Sequence, residues 1–263
     1  MNLFWQECKM NFKTMLVWAL CVGGMCLGCL LLYDSLGESV EEMSDMFANL
    51  GAFSEALGMD RMGIGTLEGY YAVEISILLN LGGALYGAML GAGMTAKEEE
   101  GKTYEFLNVM PLGRGRILAE KYAAFAVLLA VFHGICICLI LCGFAWMGSM
   151  PDMRNYAEYH GAAYFMCCEI GTICFLLSVL CRKRPTGAAV GIAVIFYMMD
   201  IMCRVVPALD KVKYLTPFYY SNAADIFSGG GKSEGVLEAG AGAVILGLTL
   251  GVSFVIYKKK DLM

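Results

Sequence analysis

Long apolar runs, separated by short charged or glycine- and proline-bearing breaks, set the pattern of this chain. Six runs stand out, at about 15–33, 70–94, 122–147, 161–180, 187–206 and 236–257. Each is close to the roughly 20 helical residues that cross about 30 Å of hydrocarbon. Their apolar positions are continuous rather than alternating, which excludes the pattern of a membrane barrel. A spanning segment must satisfy its backbone internally, so helices are predicted. The pattern predicts an all-α integral membrane protein with six transmembrane helices, forming a single transmembrane domain over 1–263. Ahead of the first run, residues 1–14 mix Leu3, Phe4, Trp5, Met10 and Phe12 with Lys9 and Lys13. That mixture predicts an amphipathic helix lying at the membrane interface.

Basic residues orient the runs. With the N-terminus inside, thirteen of the nineteen Lys and Arg residues fall on inner segments: Lys9 and Lys13, the cluster from Lys97 to Lys121, the turn Arg182-Lys183-Arg184, and Lys258-Lys259-Lys260. Five fall outside, and Arg204 lies within a run. The bias predicts cytoplasmic N- and C-termini. Of the outer segments, 34–69 is acidic and long enough for short surface helices, 148–160 is a short connection, and 207–235 contains LTPFYY, whose aromatic residues suit a partly re-entrant interfacial segment. Glycines recur at four-residue spacing: Gly24 and Gly28, Gly83 with Gly87 and Gly91, Gly187 and Gly191, and Gly247 and Gly251. Such spacing lets helix backbones approach closely, within the bundle or across a dimer interface.

Composition agrees with the membrane class. The chain is 59% hydrophobic and 16% charged, whereas soluble domains carry about 25% charged residues. Its net charge of −5 lacks the basic patch of a nucleic-acid binder, so no nucleic-acid partner is expected. Most of the 12 cysteines lie inside apolar runs, where they act as small packing residues. No metal site is expected.

The longest charged segment between two runs is 98–122, EEEGKTYEFLNVMPLGRGRILAEKY. Thr95 with Glu98 reads as a capping box starting a helix through the acidic triplet. Gly101 weakens that helix. Thr103 can cap a second, with Glu105 near its positive end. Phe106, Leu107 and Met110 share one face of that second helix, which Pro111-Leu112-Gly113 ends. The result is a short amphipathic helix on a charged loop, suited to docking a soluble partner or simply to solvation.

Charges inside the runs are costly, by roughly 2.5–3.5 kcal/mol on insertion scales, and are functional candidates for that reason. They are Glu74, Glu169, Asp200 and Arg204, with Asn80 as a further polar candidate. Asp200 and Arg204 are one helical turn apart and can pair. Glu169 is the deepest. The string SGGGKS at 228–233 is not a phosphate loop, because Ile226 occupies the position of the required first glycine. No nucleophile elbow, HExxH or dinucleotide fingerprint is present, so no catalytic residue is assigned.

Three stretches together resemble the membrane subunit, or permease, of type-2 ATP-binding-cassette exporters. They are Glu100-Gly101-Lys102-Thr103-Tyr104-Glu105 followed by Leu107, Pro111, Arg114, Arg116, Ile117 and Lys121; LTPFYY before the last run; and YKKKDL at 257–262. Lys102 separates Gly101 from Thr103, a departure from the tighter Gly-Thr form. The resemblance implies a plasma-membrane permease subunit paired with a second copy or a homologous permease. A separate cytoplasmic ATP-binding-cassette ATPase would hold the ATP–Mg, and no cofactor is expected in this chain. It further implies a short cytoplasmic coupling helix, with Glu100, Gly101, Thr103, Glu105, Phe106, Leu107, Met110 and Pro111 receiving the ATPase's motion. Two other readings are open: a stand-alone ion-coupled transporter or channel using Glu169 and Glu74, and a non-transporting membrane sensor.

Overall fold

The structure is a computed structural model and describes residues 3–36, 61–104, 112–229 and 234–260, with isolated positions between 40 and 59. Among the described residues there are helices and no strand. Six helices are long and apolar enough to cross a membrane. They are α1 (Leu3–Leu36), α2 (Leu67–Gly93), α4 (Arg114–Trp146), α5 (Met153–Leu180), α6 (Thr186–Val205) and α9 (Glu234–Lys259). The short α3 (Ala96–Glu100) follows α2. A 3-10 helix (Pro207–Leu215), α7 (Pro217–Tyr220) and α8 (Ala223–Phe227) lie between α6 and α9.

Local chemistry sets the boundaries. Thr66 caps α2 by accepting a hydrogen bond from the Gly69 amide, and Asp152 caps α5 by accepting one from Arg154. Pro185 precedes α6, while Pro207 and Pro217 open the 3-10 helix and α7, where a missing N–H costs nothing. The span of α2 carries one π-turn, Tyr71–Ile75, which contains Glu74.

Two expectations change. Residues 3–14 are the first turns of α1, not a separate interfacial helix, because no glycine or proline interrupts the chain before the span begins. Trp5, Met10 and Phe12 are exposed on it, but Leu3 and Glu7 are buried, so one face docks on the bundle. The 148–160 connection is also shorter than its polarity suggests, since α5 starts at Met153 and carries Tyr156, Tyr159 and His160 inward. The polar ring tips of these residues find buried partners, which the hydropathy pattern cannot show. Residues 230–233 of the SGGGKS string lie outside the described residues, as do six of the eight acidic residues of 34–69: Glu38, Glu41, Glu42, Asp45, Glu55 and Asp60.

α1 packs along α4, and α2 along α5; α9 lies on α5, and α6 on α2. The α2–α5 seam is backbone against backbone. A Cβ on Gly91 would stand 2.2 Å from the Gly171 carbonyl oxygen, and one on Gly87 would stand 3.0 Å from that of Cys167. Gly83 meets the Cys167 sulfur in the same way. The second run's glycines therefore pack within the bundle. Those of the other three runs do not, since Gly24, Gly28, Gly187, Gly191, Gly247 and Gly251 have nothing within 4 Å of an added Cβ. Their faces look away from the bundle.

Gly91→Val should lower the thermal midpoint of the detergent-solubilised chain by the equivalent of roughly 1–3 kcal/mol, the cost of overpacking. Gly28→Ala should leave it unchanged, because that position is open. Circular-dichroism melts check both.

Candidate functional site

At the end of the bundle where residues 3 and 260 lie, α3 gathers the surrounding elements. The helix is only five residues long, AKEEE, and its four charged side chains reach four different places. Lys97 pairs with Glu7 of α1. Glu98 pairs with Lys121 of α4. Glu99 pairs with Lys260, just beyond α9. Glu100 pairs with Arg184 in the α5–α6 turn at 3.0 Å.

Lys121 is the centre of the cluster. It is 0% exposed, and its ammonium donates to Glu7 Oε1 at 2.7 Å, to the Met94 carbonyl at 2.9 Å and to Glu98. All three donors of the ammonium are used, as a buried Lys requires. Burial pushes the Glu98 carboxyl above its ordinary value, against the pull of Lys121. Burial likewise pulls the Lys97 ammonium down, against Glu7. Around this core, Lys260 also donates to the Val179 carbonyl at 2.7 Å, and Arg114 donates to the Lys260 carbonyl at 2.8 Å. The Phe4 amide donates to Glu120 at 3.2 Å.

The start of α3 is where the Thr95–Glu98 spacing predicts it, but the cap is different. Thr95 makes no side-chain cap. Ser178 of α5 accepts from both the Thr95 and Ala96 amides at 2.9 Å, and Glu98 turns to Lys121 instead. The capping groups are thus supplied by tertiary contact. Gly101 ends the helix, and Lys102 follows with φ of 51° in the left-handed region. The Thr103 amide closes the turn on the Glu98 carbonyl at 2.8 Å. Of the predicted coupling residues, Glu100, Gly101 and Thr103 therefore border the cluster, while Glu105, Phe106, Leu107, Met110 and Pro111 lie outside the described residues. Glu7, Lys97 and Ser178 were missed as partners. The one signal in sequence was that Glu7 is the only acidic residue before Asp34.

The intramembrane candidates divide. Arg204 grips Asp200 through two 3.0 Å bonds and reaches Asp225 of α8 at 3.1 Å, with its guanidinium 4.7 Å from the Tyr219 ring centre. Asp225 also pairs with Arg61. Asn80, near the middle of α2, donates to the Ser221 carbonyl at 2.9 Å and accepts from the Tyr159 hydroxyl at 3.0 Å. Tyr220 donates to Glu169 at 2.8 Å. The LTPFYY segment thus dips into the bundle, pinned to α2 and α5. Glu74 is half-buried in the π-turn. His133 places Nδ1 3.1 Å from the Leu129 carbonyl of its own helix. Among the described residues, no three His, Cys, Asp or Glu groups come together to hold a metal.

Lys121→Met would leave Glu98 buried without its cation. The expected cost is roughly 3–5 kcal/mol, read as a lower thermal midpoint. Arg184→Ala removes a half-exposed pair and should cost no more than about 1 kcal/mol.

No curated protein matches the chain. The family described as ABC-2 family transporter protein matches residues 1–262. With that match over nearly the whole chain and six helices able to span a bilayer, the chain belongs to the ABC-2 transporter family and is a multi-pass membrane permease of that family.

Proposed function

We propose that this permease is the membrane subunit of an ATP-driven exporter, working with a separately encoded cytoplasmic ATPase and pairing with a second copy or a homologous permease. The observation that carries the reading is the four-way pairing of α3. A force applied to the segment just after α3 acts at once on α1, α4, the end of α9 and the α5–α6 turn. An ATPase needs such a point of purchase. Its nucleotide can bias the membrane conformation only if the two states differ in free energy through a shared contact. The positive-inside bias supports placing this end in the cytoplasm. The open glycine faces of α1 and α6 support a paired assembly, since small residues allow close helix contact between subunits. ATP and Mg²⁺ belong to the ATPase.

Charge reversal tests the docking. Glu100 is nearly half exposed, so Glu100→Lys should leave insertion and folding intact. Co-purification with the ATPase should weaken, and Glu105→Lys should act in the same way. Unchanged association together with unchanged transport would remove the docking claim.

A further inference from the structure

Glu169 is the fully buried acid for which the described part of the bundle supplies no counter-charge. It sits deep in α5 and is 1% exposed. Asp200 has Arg204, and Glu7 and Glu98 have Lys121, but among the described residues no cation pairs with Glu169. Its partner is the Tyr220 hydroxyl, a neutral donor. A carboxylate at this depth is stable when a counter-charge lies beside it, and every other deeply buried acid described here has one.

The surroundings suit a particular kind of counter-charge. The rings of Phe165 and Tyr220 lie 5.8 Å apart beside the carboxyl, and aromatic rings attract cations. α9 closes on this group at Gly242, where an added Cβ would stand 2.6 Å from Glu169 Oε2 and 3.4 Å from the Phe165 ring. Glycine at this point lets α9 lie directly on the carboxyl. Of the six spans, α9 is the least enclosed, with Val244, Leu248, Val252 and Val255 facing outward. It is therefore the wall over Glu169 that lies nearest the outer surface of the bundle. A movement of α9 off α5 would expose the carboxyl beside the apolar outward face of α9.

We propose that Glu169, with Phe165 and Tyr220, is a recognition site for the positively charged group of an apolar substrate, a lipophilic cation that enters from the bilayer as α9 moves off α5. The ligand supplies the charge that the chain withholds. The proposal names a substrate class for the permease and so rests on the transport reading, but not on ATP.

Binding of tetraphenylphosphonium to the purified full chain in lipid nanodiscs tests it, with empty nanodiscs as the reference and neutral triphenylphosphine oxide as the comparison. The wild-type chain should bind the cation at least about tenfold more tightly than the neutral probe, from its charge alone. Glu169→Gln keeps an acceptor for Tyr220 and should abolish that preference, while Glu169→Asp should retain part of it. Equal binding of the two probes to the wild-type chain, or an undiminished cation preference in Glu169→Gln, overturns the site. Because no ATPase is present, cation binding by a chain that never associates with an ATPase would sink the ATP-driven reading and leave the site standing.

Discussion

The buried ammonium of Lys121 is the constraint on which one whole end of the molecule depends. An ammonium removed from water is unstable unless every donor finds an acceptor and its charge is balanced. Glu7, Glu98 and the Met94 carbonyl meet that demand, and they come from the first helix, from α3 and from the end of α2. Satisfying one cation therefore fixes three pieces of chain around α4. Lys97, Glu99 and Glu100 extend the arrangement outward, each to a different neighbour. A five-residue helix has no stability of its own, since helix nucleation is unfavourable at that length. It persists because its side chains and its Ser178 cap are held from outside, which also makes it responsive to displacement.

Along the bundle, a different constraint holds. α2 and α5 meet through glycines, so their backbones cannot slide apart without losing contact along the whole seam. The polar pins at Asn80 and Glu169 then hold Tyr220 and Ser221 against this pair. At the far end, Arg204 and Asp225 tie α6 to α8 and, through Arg61, to the segment before α2. The molecule thus has a rigid α2–α5 centre, ion-paired ends and loosely enclosed outer helices.

Much of the fold was legible because hydropathy is local: a run of about 20 apolar residues announces a span wherever it occurs. The Asp200–Arg204 pair was legible for the same reason, being one turn apart on a single helix. The acidic triplet at 98–100 was visible as a focus, but not its partners. Nor was the place of Glu7, which lies 90 residues from Lys97 and 114 from Lys121, with no periodicity to connect it to either. The continuous first helix was hidden because amphipathic residues at a span's end look the same whether they lie flat or continue the axis. The glycine spacings looked alike in four runs, yet only those in α2 are filled by a neighbouring helix. Spacing reports the capacity for close approach, not which face meets a partner.

The most direct measurement of the central claim is purification of the tagged full chain from its native membranes in mild detergent, followed by identification of co-purifying chains and an assay of ATP hydrolysis. A stoichiometric ATPase that remains bound is the predicted result. A stable single chain, free of any ATPase and driven by an ion gradient in vesicles, would contradict it.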